Sequence, residues 1–175
     1  MKDWKKIIFL DIDGVMASEK YLCQRKHGFI EPEKCKLLNT LGDIGAEIVI
    51  SSSWGYDNGR TEKSLRECGL TLPIIGYTEH YYVDWMCRGN EIEKWLRENF
   101  KGMCTKYYQD DEGIPYHRKH YNEEDTDYEY VIVDDSMDIL YGQKDNFIKI
   151  NPYTGITKRD INKAFKILTR NETKK

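Results

Sequence analysis

The sequence predicts an α/β fold, a parallel sheet with helices on both faces. Short apolar runs of strand length recur along the chain, and stretches of helical spacing separate them. That alternation is what right-handed β-α-β units require. In addition, acidic or hydroxyl residues follow directly on several of the runs. Ligands of such sheets bind at the carboxyl ends of the strands, so the same pattern indicates where the site lies.

The first strand is expected at Lys6 to Leu10, whose Ile7, Ile8, Phe9 and Leu10 form the apolar run of a strand buried on both faces. Gly14 marks a change of backbone direction just after it. Glu31-Pro-Glu-Lys opens a helix, with Pro32 suited to its first turn and Leu37, Leu38 and Leu41 at helical spacing. Gly42 and Gly45 end it. The second strand is Glu47 to Ile50. Thr61 to Cys68 predicts a helix closed by Gly69, and Leu72 to Gly76 a less regular strand. Asn90 to Phe100 is a helix with Ile92, Trp95, Leu96 and Phe100 on one stripe. Strands follow at Tyr130 to Val133 and Phe147 to Ile150. The last helix runs from Thr157, a suitable N-cap, to Thr169, with Ile161, Ala164, Phe165 and Leu168 turned inward.

The 175 residues suffice for one domain with a real core and fall short of two ordinary ones. Residues 1–175 are therefore expected to form a single domain, with 101–129 as an irregular insertion. That insertion is rich in tyrosine, histidine and charge and has no clear period. It reads either as a solvated surface segment or as a flap carrying Tyr107, Tyr108, Tyr116, His117 and His120.

At 39% hydrophobic and 33% charged, the composition suits a globular protein, and no apolar run is long enough to span a bilayer. The first strand begins so early that a signal peptide has no room, so a cytoplasmic location is expected. Cys23, Cys35, Cys68, Cys87 and Cys104 are widely spaced, with no CxxC pair to start a zinc site and no disulfide framework. A net charge of -3 argues against gripping nucleic acid through an overall positive field.

The strand ends carry the chemistry. The first ends in Asp11 and Asp13, the second in Ser51-Ser52-Ser53-Trp54, and the Tyr130 strand in Asp134-Asp135-Ser136-Met137-Asp138. In a parallel sheet these ends converge, and so many carboxylates require a cation. Oxygen-only ligands favour a hard ion such as Mg²⁺. Each piece alone has an ordinary structural explanation as a turn, loop or helix cap. Their joint occurrence, each after its own strand, does not.

KIIFLDIDGVM, with IVISSSW and the acidic pair after the later strand, resembles the haloacid dehalogenase (HAD) superfamily of aspartate-nucleophile phosphohydrolases over roughly Lys6 to Leu168. IVISSSW, RGNEIEKWL and NPYTGIT also look like HAD domains described alongside bacterial and phage RNA-repair enzymes. The resemblance implies a HAD-like Rossmannoid fold in which Asp11 attacks phosphorus and Asp13 first protonates the leaving oxygen and then deprotonates water. It implies that Ser51, with the backbone N–H of Ser52, binds a phosphoryl oxygen. Asp135 would hold Mg²⁺ together with Asp11 and the backbone carbonyl of Asp13, with Asp134 or Asp138 supporting the ion or replacing one of its waters. The cation that the resemblance requires is expected to be Arg88, just before a helix, where many family members carry Lys; Lys94 is the alternative.

About thirty residues separate Gly14 from the second strand, and little more separates Trp54 from Arg88, so only a minimal cap fits. The site should be open, which in this superfamily favours large substrates or a lid from a partner subunit; an oligomer is compatible with the sequence. The expected substrate is a phosphorylated nucleotide or nucleic-acid end, with a sugar phosphate or other small metabolite as the alternative. Trp54, Tyr56, Tyr81, Tyr82 and Trp85 are candidates to stack on a base or simply to pack. Arg60, Lys63, Arg118, Lys119 and His120 are candidates to track a phosphate backbone, though acids interleave them. A non-catalytic phosphate-accepting domain of the receiver type would need no acid-base residue two positions after the acceptor. Asp13 therefore favours an enzyme.

Overall fold

The structure, a computed structural model, describes residues 4–24, 28–56, 59–79, 87–100, 103–109, 115–121 and 128–171; for Tyr56, 103–109 and 115–121 it describes the backbone alone. Five strands form a parallel sheet in the order β3-β2-β1-β6-β7. They are β1 (Lys5–Leu10), β2 (Ala46–Ile50), β3 (Ile74–Tyr77), β6 (Tyr128–Asp134) and β7 (Phe147–Lys149). β1 is central because its apolar run has no polar face to show to water: Ile7 to Leu10 are all fully buried.

Among the described residues are five α-helices: α1 (Glu19–Gln24), α2 (Pro32–Asn39), α3 (Arg60–Glu67), α4 (Arg88–Asn99) and α5 (Lys158–Leu168). Alternation along the strands divides the core in two. Ile8, Leu10, Ile48, Ile50, Val131 and Val133 point to one face, where α2, α3 and α5 supply Cys35, Leu38, Leu65, Ile161, Ala164 and Leu168. Ile7, Phe9, Val49 and Ile132 point to the other, where α4 lays Ile92, Trp95 and Leu96. Trp95 meets Phe9 edge-on at 5.5 Å, in one of the geometries aromatic pairs prefer.

Several elements differ from the sequence reading. β6 begins at Tyr128 because Tyr128 and Glu129 pair with Lys5 and Lys6, before the apolar run starts. Thr157 does cap α5, in a capping box with Asp160. Phe165 of that helix is 45% exposed rather than inward. The buried stripe is centred on Ile161, Ala164 and Leu168, and at 3.6 residues per turn Phe165 falls roughly 70° off its middle. The insertion is not irregular throughout: β4 (Met103–Gln109) and β5 (Pro115–Tyr121) form an antiparallel hairpin. The tyrosines, histidines and cations picked out there have side chains outside the described residues, as does that of Tyr56; Tyr81, Tyr82 and Trp85 lie outside them entirely. No helix among the described residues is long and apolar enough to cross a membrane.

Candidate active site

The register of the sheet brings the site together. Leu10 lies opposite both Ile50 and Val133, so the residues that follow, Asp11, Ser51 and Asp134, stand side by side at the carboxyl edge. Backbone hydrogen bonds hold that level: Asp11 N–H donates to the Val133 carbonyl at 3.1 Å, and Ser51 N–H to the Leu10 carbonyl at 2.8 Å. Oxygens of Asp11, Asp134 and Asp135 lie within 4.8 Å of one another, with Asp11 and Asp134 buried.

Gly14 makes this proximity possible. The chain turns tightly after Ile12, whose carbonyl accepts the N–H groups of Val15, Met16 and Ala17. Gly14 takes a left-handed φ of +66°, and a Cβ there would stand 2.3 Å from Asp135 Oδ2. The Asp135 carboxylate therefore occupies the place of the missing side chain.

Crowding sets the electrostatics. Burial, and then the charge of Asp134, push Asp11 from 3.8 up to about 7, against the lowering effects of the Ser52 hydroxyl, the Ile12 N–H and Arg88. Asp134 is likewise raised, mainly by burial, with the Ser136 N–H at 2.7 Å on its Oδ1 the largest opposing effect. These carboxylates cannot all ionise comfortably unless positive charge is placed among them. An all-oxygen donor set short of cationic neighbours suits a hard divalent ion, and Asp11, Asp134 and Asp135 are the residues able to hold one.

Arg88 supplies part of that charge. It is the first residue of α4 rather than the residue before it, with its Nε 3.9 Å from Asp134 Oδ2 and its Nη1 3.5 Å from the buried Glu91. Asp138 positions it from behind. Cys87 at the N-cap offers no side-chain hydrogen bond, and Asp138 takes that place: its Oδ2 accepts the Arg88 N–H and its carbonyl the Gly89 N–H, both at 2.9 Å. Asp138 is thus a helix cap and lies outside the carboxylate cluster of Asp11, Asp134 and Asp135. Gly89 lets α4 approach so closely, since a Cβ there would meet the Leu140 nitrogen at 2.3 Å. Lys94 is not brought to the cluster; its ammonium pairs with Glu79 and, at 3.8 Å, with Glu98.

Four contacts were missed from sequence. Lys149, at the end of β7 opposite Asp134, donates to the Asp135 carbonyl; the strand-end rule would have found it had cations been sought as well as acids. The Ser52 hydroxyl reaches Asp11, whereas the Ser51 oxygen accepts from Thr78 Oγ1 at 3.4 Å. Asp13, exposed beyond the cluster, accepts the Trp54 indole N–H on Oδ2 at 2.8 Å.

Residues 7–161 match the family described as the HAD domain in Swiss Army Knife RNA repair proteins. The chain belongs to this HAD family. Its five-stranded parallel sheet, clothed by helices on both faces, is the HAD-like Rossmannoid fold. Membership points to phosphatase-type hydrolase chemistry on a phosphorylated substrate. No curated protein and no solved structure matches this HAD domain at a significant level.

Proposed function

We propose that this HAD domain is a Mg²⁺-dependent phosphomonoesterase working through an aspartyl-phosphate, on a nucleotide or a nucleic-acid terminal phosphate. The observation that carries the reading is the Asp11, Asp134 and Asp135 cluster with Arg88 against it and Asp13 two residues beyond the nucleophile. Asp11 and Asp13 flank Ile12 just beyond the carboxyl end of β1, near enough along the chain to address one phosphoryl group.

An Asp11 oxygen attacks phosphorus as the bond to the leaving oxygen breaks. The electron pair departs with that oxygen, and Asp13 protonates it. Asp13 then takes a proton from water, the water oxygen attacks phosphorus, and the acyl-phosphate bond breaks to return Asp11. Ser51 and the Ser52 N–H hold a phosphoryl oxygen, and Arg88 faces the charge that develops. Mg²⁺, which HAD proteins generally use, would be held by Asp11, Asp134 and Asp135 and would neutralise phosphoryl charge.

Two points support the nucleic-acid preference. The family description ties such domains to RNA repair. The half-buried Trp54 and the 55% exposed Phe29, edge-on at 6.0 Å, also present ring surface beside Asp13, on the leaving-group side.

The test is hydrolysis of an aryl phosphate that requires Mg²⁺ and is lost on chelation and in Asp11→Asn. Turnover at the wild-type level in that variant refutes the mechanism. A parallel screen of nucleoside monophosphates, 5′- and 3′-phosphorylated oligonucleotides and sugar phosphates decides the substrate, and a preference of orders of magnitude for sugar phosphates overturns the nucleic-acid assignment.

A further inference from the structure

Asp13 sits exposed on a tight turn, where an unsupported carboxylate would exchange rotamers freely. The Trp54 indole N–H on Oδ2 at 2.8 Å restrains it. Trp54 is itself anchored, through its main chain and on its ring. The Trp54 carbonyl accepts a hydrogen bond at 2.8 Å from the hydroxyl of Thr61, a fully buried residue at the start of α3. The Trp54 N–H reaches Ser52 Oγ at 3.4 Å, and Phe29 meets the ring edge-on. Ser52 in turn hydrogen-bonds Asp11. One short turn after β2 therefore holds both carboxylates of the Asp-x-Asp pair, Asp11 through Ser52 and Asp13 through Trp54. Among the described residues Asp13 Oδ1 has no hydrogen-bond partner, so occupation of Oδ2 leaves Oδ1 to face the reacting oxygen.

We propose that Trp54 is a positioning residue that fixes the Asp13 carboxylate for proton transfer to and from the substrate oxygen. The proposal rests on the assignment of Asp13 as acid-base group. General acid-base catalysis contributes about 10²–10⁴-fold; part of that factor depends on orientation, and the indole supplies it.

Trp54→Phe keeps the ring and removes the donor. Its kcat/KM is expected to fall at least about tenfold on an alkyl phosphate, whose leaving oxygen needs the proton, and less than about threefold on 2,4-dinitrophenyl phosphate, whose leaving group departs as an anion. A merely structural role would lower both alike. A second measurement does not depend on turnover or on that variant folding: in the ¹H–¹⁵N spectrum, one indole resonance among the four tryptophans should move when Asp13→Ala removes the acceptor. Selective loss with a displaced indole signal supports the proposal. Equal loss on both substrates, no loss, or unmoved indole signals overturn it and leave the phosphatase assignment standing. If the wild type hydrolyses neither phosphate, or Asp11→Asn still does, the phosphatase assignment falls and takes the catalytic role of Trp54 with it.

Discussion

Replacing Asp11 by asparagine is expected to stabilise the metal-free protein at pH 8 while abolishing hydrolysis. Asp11 is 7% exposed, and burial and Asp134 raise it from 3.8 to about 7 in the folded chain. Below about pH 4 folded and unfolded chains both carry the proton, and the residue costs nothing. As pH rises toward 7 the unfolded chain releases the proton first, so stability is lost across that window and stays lost above it. A pKa difference of about 3 corresponds to about 4 kcal/mol. Asparagine fills the same space without charge, though its amide cannot accept from Ser52 and Ile12 as a carboxylate does, so a gain of about 2–4 kcal/mol is expected at pH 8. For a chain of this size that is roughly 5–15 °C in Tm. Thermal unfolding of wild type and Asp11→Asn in EDTA at pH 4.5 and pH 8 measures it. The reasoning is refuted if the difference between the two proteins is the same at both pH values, or if the variant is the less stable at pH 8.

Mg²⁺ added at pH 8 should reverse the wild-type deficit, by about 2.7 kcal/mol at a hundred times its Kd, and should do much less for Asp11→Asn or Asp135→Asn; a thermal shift titration reads this. Gly14→Ala should destabilise by about 1–3 kcal/mol and abolish most hydrolysis, because the new Cβ needs a left-handed backbone and the space of Asp135 Oδ2; urea midpoint and turnover are the measurements. Asp138→Ala should lower stability by about 1 kcal/mol through loss of the α4 cap and lower kcat/KM by freeing Arg88, with Lys144→Ala in the same loop as the control.

The sheet was legible because β1, β2, β6 and β7 each announce themselves as apolar runs, and strand alternation with helices leaves few topologies. The site followed, since Asp11, Ser51 and Asp134 are simply the residues next along the chain. What escaped has no periodic signature. α1 buries none of its residues and is held by the adjoining Ser18 and by the carbonyls of Pro152 and Tyr153, the latter two distant in sequence. β4 and β5 belong to a two-stranded ribbon outside the main sheet, and their polar, tyrosine-rich sequence lacks the apolar run that marks the other strands. Which of Ser51 and Ser52 touches Asp11 depends on where β2 ends and its backbone turns, and three consecutive serines carry no such information. In the sequence Trp54 is a stacking or packing candidate, and its indole N–H carries no signal there, because a ring's polar edge acquires meaning only when its acceptor is known.

The two carboxylates of Asp-x-Asp end in opposite settings, and the difference bears on the proposed chemistry. Asp13 lies exposed on its turn, reachable by a leaving oxygen or by water, and orientation is what it lacks; Trp54 provides it. Asp11 is oriented by the sheet, and ionisation is what it lacks. With its value near 7, a substantial fraction of Asp11 carries a proton at neutral pH in the metal-free protein, and a protonated carboxyl is a poor nucleophile. Arg88, 3.9 Å from Asp134, offsets only part of the mutual repulsion. A cation among Asp11, Asp134 and Asp135 would thus do more than neutralise substrate charge: it would make the nucleophile available. It follows that single-turnover rates at saturating Mg²⁺ should be nearly flat from pH 6 to 8, whereas at limiting Mg²⁺ they should rise with pH as Asp11 is freed to bind the ion. Identical pH profiles at the two concentrations would separate nucleophile ionisation from metal binding and refute this coupling.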